Sequence, residues 1–147
     1  MILPDVNVLV LAHRADQDEH EQVRDWLERE VNSERPFALA DVAVAGFLRV
    51  VTSPRVYHRP TALETALAFV DGLHEQPTCV RVAAGERHWP ILRALLLDAD
   101  ARGNLVPDAH LAAVAIEHGA TVATRDRGFA RFAGLPWIDP IGDRRAG

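Results

Sequence analysis

"VPDAHLAAVAIEHGATVATRDRGFARF", residues 106–132, is the stretch on which the fold turns. Residues 108 to 118 form an apolar, alanine-rich run long enough for a helix, and Gly119 is a natural stop because glycine reaches the left-handed conformation that ends helices. Residues 120 to 124 then read as a short strand. An aspartate stands at each end of this unit, Asp108 behind Pro107 and Asp126 just past the strand. Carboxylates are costly to bury, so two of them flanking one apolar unit require a reason.

The same alternation extends to both ends of the chain. "MILPDV" predicts a buried first strand ending on Asp5, with a helix to follow, and Val23, Trp26, Leu27 and Val31 recur at helical spacing over 16 to 32. "PFALAD" reads as a second strand, and "VAVAGFLRVVT" as a largely buried helix stopped at Ser53 and Pro54. Residues 61 to 76 carry another apolar helical face, and "TCVRVAA" is a strand. Residues 85 to 101 resume the helical period through Trp89, Leu92, Leu95 and Leu96 until "RGNLVP" breaks it, and "LPWID" supplies a last short strand. Strands separated by helices predict an α/β fold, a central parallel sheet of four to five strands covered on both faces. One domain over 1–141 is expected, with residues 142–147 as a flexible tail.

Composition narrows the function. With 48% hydrophobic and 25% charged residues the chain has the balance of a globular protein, not of a disordered one. A net charge of −5 argues against non-specific nucleic-acid binding through overall charge, and leaves room only for a local basic groove. The single Cys79 excludes internal disulfides, favours a reducing compartment and reads as a small buried hydrophobe. No apolar run approaches the roughly 18 residues of a membrane span, and the start "MILPDVNVLVLAHR" has no basic leader. The expected location is cytoplasmic.

Several enzyme classes lack their indispensable groups. There is no G-x-x-x-x-G-K, G-x-G-x-x-G or G-x-S-x-G, and Ser33 and Ser53 are the only serines. The histidines fall in no H-E-x-x-H pattern, so zinc is not expected. The aspartates remain. Function in a parallel sheet collects beyond the C-terminal ends of strands, where Asp5 and Asp126 are predicted, and Asp108 reaches the same edge if its helix starts there. Converging carboxylates repel and resist burial, a conflict that a divalent cation removes. All-oxygen donors suit Mg2+, which takes one or two carboxylates together with waters and phosphate oxygens. Taken singly, Asp108 also fits a helix N-cap or first-turn acid, and Asp126 an Asx-type turn. Asn7, Asn104 and Thr124 lie close to the three acids in sequence and can orient them or their waters.

"PDVNVLVLAHR", "NLVPDAHLAAVAIEHGATVATRD" and "FARFAGLPWIDP" together resemble PIN-domain proteins, specifically the VapC toxins of type II toxin–antitoxin modules. The likeness covers essentially the whole chain, with D-x-N, P-D-x-x-L-A-A and T-x-D-x-x-F in order. It implies a three-layer α/β/α fold and a Mg2+- or Mn2+-dependent endoribonuclease that is commonly a homodimer and is inhibited by a VapB-type antitoxin. The family's metal-binding and catalytic acids fall on Asp5, Asp108 and Asp126, and its supporting polar positions on Asn7 and Thr124. One departure stands out: Gly46 lies about where the family usually has another acid, and Asp41, five residues earlier, is the only acid nearby.

For RNA contact, "SPRVYHRP" offers Arg55, Tyr57, His58 and Arg59, and "RDRGFAR" offers Arg125, Arg127 and Arg131. Arginine grips phosphate and stacks on bases, and tyrosine stacks on unpaired ones. Arg49, on an otherwise buried-looking helix, is a candidate partner for an internal acid. The helices over 16 to 31 and 41 to 52 offer a groove for an antitoxin segment. Two rivals stand beside the ribonuclease. Phosphohydrolases with an aspartyl nucleophile want an acid where Asn7 stands; a metal- or partner-binding module that has lost turnover is motivated by Gly46.

Overall fold

The computed structural model describes residues 1–142, so all of the expected tail except Gly142 lies outside the described residues. Five strands, β1 (Ile2–Pro4), β2 (Phe37–Ala40), β3 (Cys79–Val82), β4 (Thr121–Ala123) and β5 (Trp137–Ile138), pair in parallel in the order β3-β2-β1-β4-β5. The helices are α1 (Val6–His13), α2 (His20–Val31), α3 (Asp41–Val51), α4 (Leu63–His74), α5 (His88–Asp98) and α6 (Leu105–Glu117).

From β1 through β2 to β3 the chain steps outward in one direction, then crosses back past β1 to β4 and β5. Right-handed crossovers therefore put the helices of the two legs on opposite faces of the sheet. The contacts agree: α1 lies against α2 and α3, and α3 against α4, while α5 and α6 pair with each other. The strand order reverses between β1 and β4, so the connections leaving their C-terminal ends diverge and open a crevice there.

Burial follows position in the sheet. The β2 residues "FALA" are all buried, whereas the edge strand β3 exposes Val80 and Arg81. In α6, Ala109, Ala112, Ala113 and Ala115 are fully buried beside Leu111 and Val114. Small side chains let this helix approach its neighbours closely, and each fully buried Leu or Val adds roughly 1.5–3 kcal/mol. Gly119 ends α6 with φ 66°, the left-handed turn its position predicts.

Two elements differ from the sequence expectation. The helix predicted over 16 to 32 is preceded by a separate one, α1, whose "VNVLVLAH" buries Val8, Leu9, Val10 and Ala12. A helix apolar on nearly every side carries no amphipathic period by which to recognise it. In addition, α6 starts at Leu105, not at 108. Pro107 falls in its first turn, where a missing N–H breaks no helical hydrogen bond. Asp108 is thus a first-turn acid; the N-cap is Asn104, whose side chain makes no capping bond.

Candidate active site

Asp5 follows the last residue of β1 and caps α1. Its Oδ1 accepts from the Val6 N–H at 2.7 Å. Its Oδ2 accepts from the Thr124 hydroxyl at 2.8 Å and from the Asn7 amide at 3.1 Å. The residue is only 7% exposed. Burial pushes its carboxyl pKa up against the opposing effect of the Thr124 and Val6 bonds, and the Asp126 charge raises it further.

Thr124 joins the segments. Fully buried just past β4, it donates to Asp5 and accepts from the Asp126 N–H at 3.0 Å. The Asn7 carbonyl Oδ1 accepts from the Arg125 N–H at 3.1 Å, a second tie between the β1 and β4 ends. Asn7 and Thr124, expected from the sequence to orient the acids, thus both hydrogen-bond to the Asp5 carboxylate. Asp126 also fulfils the bland reading of an Asx-type turn, because its Oδ1 accepts from the Gly128 N–H at 2.8 Å and caps a short 3-10 turn over Arg127–Arg131.

Asp5, Asp108 and Asp126 line one open cleft of about 560 Å³, together with Asn7, Asn104 and Arg49. Asp108 is partly buried in this cleft, and burial, followed by the charges of Asp5 and Asp126, raises its pKa to about 6, with Arg131 partly offsetting them. Asp108 thus feels both other carboxylates across that space. Among the described residues no three His, Cys, Asp or Glu side chains form a ready-made cage for an ion. A carboxylate oxygen has two acceptor sites, so Oδ2 of Asp5 is filled by Thr124 and Asn7, while Oδ1 keeps one free. This donor set fits a hard cation bound through single oxygens of one or two carboxylates, with water completing its shell.

Position 46 is crowded against the side chain that the family resemblance leads one to expect there. A Cβ on Gly46 would stand 2.7 Å from Cγ2 of Val6, the residue after Asp5, because α1 and α3 meet there. Asp41 does not replace it, since its Oδ1 accepts from Arg81 at 3.4 Å on the exposed surface. Gly46→Ala is expected to destabilise the protein by about 1–2 kcal/mol, overpacking outweighing the helix propensity gained. Val6→Ala in the same chain should recover most of that loss. Urea unfolding of the single and double variants is the check; simple additivity of the two losses would show that Val6 is not the obstacle.

The expected RNA-contacting residues are distributed differently from the acids. Arg125 is not free: its guanidinium donates to Glu19 at 2.9 and 2.6 Å and to Asp139, and these carboxylates hold its pKa above the ordinary range. Tyr57 has one ring face covered by the Arg14 guanidinium at 3.6 Å. Arg55, Arg59 and Arg127 are exposed, and none of them lines the acid cleft. The cation that does line it is Arg49, exposed on α3. It makes no ion pair with an acid among the described residues, contrary to the role considered for it. Its spacing of three from Gly46, on the same helix face, is the sequence signal that would have placed it.

A family model described as PIN domain matches residues 2–135. Ribonuclease VapC43 of Mycobacterium tuberculosis is 50% identical over 141 residues, 96% of each chain. Ribonuclease VapC25 of the same organism is 43% identical over 140 residues, covering 95% of this chain and 99% of its own. Among solved structures, VapBC2 from Rickettsia felis, bound to a DNA fragment from its promoter, matches with a TM-score of 0.71 at 17% identity, over 95% of this chain and 98% of that one.

Proposed function

The chain belongs to the PIN-domain family and to its VapC ribonucleases, and from that premise we propose that the acid cleft hydrolyses RNA phosphodiester bonds with Mg2+ or Mn2+. The protein is an endoribonuclease toxin of a toxin–antitoxin module. The observation that carries the reading is that aspartates from three separated segments line one cleft where the strand order reverses. Asp5, through its free acceptor site, and Asp108 would hold the cation, with Asp126 completing the set or orienting water. Bound there, the ion would offset charge on the phosphate and acidify an attacking water. Thr124 and Asn7 keep the Asp5 carboxylate aimed, and Asn104 borders the same space.

Asp108 has a measurable signature. With its pKa raised from 3.8 to about 6, the folded chain binds that proton more tightly than the unfolded one. The resulting stability is present at low pH and is lost as pH rises through about 6. Because the group is half-exposed, screening leaves on the order of 1 kcal/mol. Between about pH 4 and about pH 7, wild type should lose this much relative to Asp108→Asn, and Mg2+ should restore it. Thermal unfolding across that range is the measurement, and a cation-independent difference of opposite sign would be inconsistent with the proposed ligand.

The partner is a VapB-type antitoxin, a reading supported by the VapBC2 assembly of the Rickettsia relative. We take the active form to be a homodimer and the place of action to be the cytoplasm, where cellular RNA is. Among the described residues no helix is long and apolar enough to cross a membrane. An antitoxin segment lying between α2 and α3 would rest on α1, which touches both.

The test is to incubate the purified protein with total RNA, with Mg2+ or with chelator, and to map the new ends. Discrete Mg2+-dependent cuts are expected. Intact RNA, with antitoxin binding retained, would favour the rival reading of a PIN-fold module without turnover, which the absence of an acid at Gly46 motivates.

A further inference from the structure

The acid cleft continues into an apolar slot between α3 and α6. Val42, Ala45, Gly46 and Arg49 of α3 form one wall, Pro107 and Leu111 of α6 the other, and Asp5 and Asp108 close the inner end. The α3 residues fall at i, i+3, i+4 and i+7, a single stripe along one helix face. The slot measures about 330 Å³, at the lower end of ligand-sized pockets. Two features set it apart from ordinary surface. Val42 is 39% exposed and Ala45 is exposed as well, so apolar surface stays open to water beside the charged centre. Arg49, shared by slot and cleft, has no hydrogen-bond or ion-pair partner among the described residues although carboxylates line the same space. A cation left free beside acids is ready for an incoming anion.

We infer that this slot is a nucleobase subsite: it receives the unpaired base next to the scissile phosphate, while the Arg49 guanidinium grips that phosphate. The inference rests on the nuclease reading and adds the form of the substrate. A phosphodiester at the acid end carries its base on the same nucleotide, and the slot is the apolar space that opens directly from that end. Arginine suits the rim because its planar fork binds phosphate through two parallel hydrogen bonds. Apart from Arg49 and the acids, the lining offers no polar side chain. The slot therefore requires a base that is out of its stack, and discriminates little among base edges.

The experiment uses single-stranded oligoribonucleotides spanning a mapped cut, each in an intact form and with an abasic nucleotide on one side of the cut. For wild type, an abasic nucleotide on one side should raise KM roughly 10- to 100-fold, the range of one lost base contact. Ala45→Leu, which fills the slot, should raise KM for intact RNA and erase the difference between intact and abasic substrates. Arg49→Ala should lower kcat/KM for both substrates, with partial recovery in Arg49→Lys. The abasic comparison needs no variant, so it stands even if Ala45→Leu fails to fold. Wild-type cutting that ignores the abasic nucleotide on either side overturns the subsite and leaves the nuclease reading intact; absence of any wild-type cutting removes both. Should Ala45→Leu cut normally yet lose antitoxin binding, the slot belongs to the protein partner and the proposal is wrong.

Discussion

Asp5→Asn is expected to lower Mg2+-dependent RNA cleavage by more than about 100-fold, since even groups that merely support a metal ligand are commonly worth 10–100-fold. The fold should survive. Asn at this position still offers an oxygen to the Val6 N–H, but its NH2 group would face the Asn7 amide and the Thr124 oxygen, whose two acceptor sites already take the Asn7 amide and the Asp126 N–H. Removing the charge also relieves the burial that raises the Asp5 pKa. Stability in chelator should therefore fall by about 1–3 kcal/mol, the unpaired buried amide outweighing the relief of desolvation. Single-turnover cleavage of an end-labelled RNA, paired with thermal unfolding, separates the two effects. Cleavage within a few-fold of wild type would remove Asp5 from the chemistry, and collapse of the fold would make it a structural cap alone.

The largest stability effect is expected at Arg125. Its guanidinium ties Glu19, the residue before α2, to Asp139, the residue after β5, while its backbone N–H holds Asn7. Asp139 is 9% exposed, and burial would raise its pKa were it not for Arg125, which with the Ile141 and Gly142 N–H groups holds it below the usual value. Arg125→Ala strips the cation from two carboxylates. Breaking a buried pair costs about 3–5 kcal/mol, and partial exposure of Glu19 reduces this to about 2–4 kcal/mol. Adding Asp139→Asn to the Arg125→Ala variant should recover part of the loss, because no uncompensated charge then stays behind at that end. Urea unfolding of the cycle gives the coupling directly. A loss below about 0.5 kcal/mol would mean that the network is only a surface pairing.

The alternation of apolar strands with helical periods was legible because parallel strands are buried on both faces and read as short apolar runs, as "FALA" does. Asp5 and Asp126 drew notice for a related reason, each standing just past an apolar strand, whereas Asp108 falls within the first turn of α6. Long-range pairing was not legible. Nothing around Arg125 in "ATRDRG" announces that its partners stand at 19 and 139, so it looked like a free RNA contact. Nor does the sequence show that one face of the Tyr57 ring is covered by Arg14 from a remote helix end. Gly46 was visible as a missing acid, but only the approach of Val6 shows the crowding that a side chain there would meet.

The pairing of β1 with β4, Leu3 opposite Val122, spans most of the chain. Asp5 and Asp126 can be clamped by Thr124 only once that pairing exists. The proposed cutting centre therefore cannot assemble on a ribosome until β4 has left the exit tunnel, however much of the amino-terminal half has already folded.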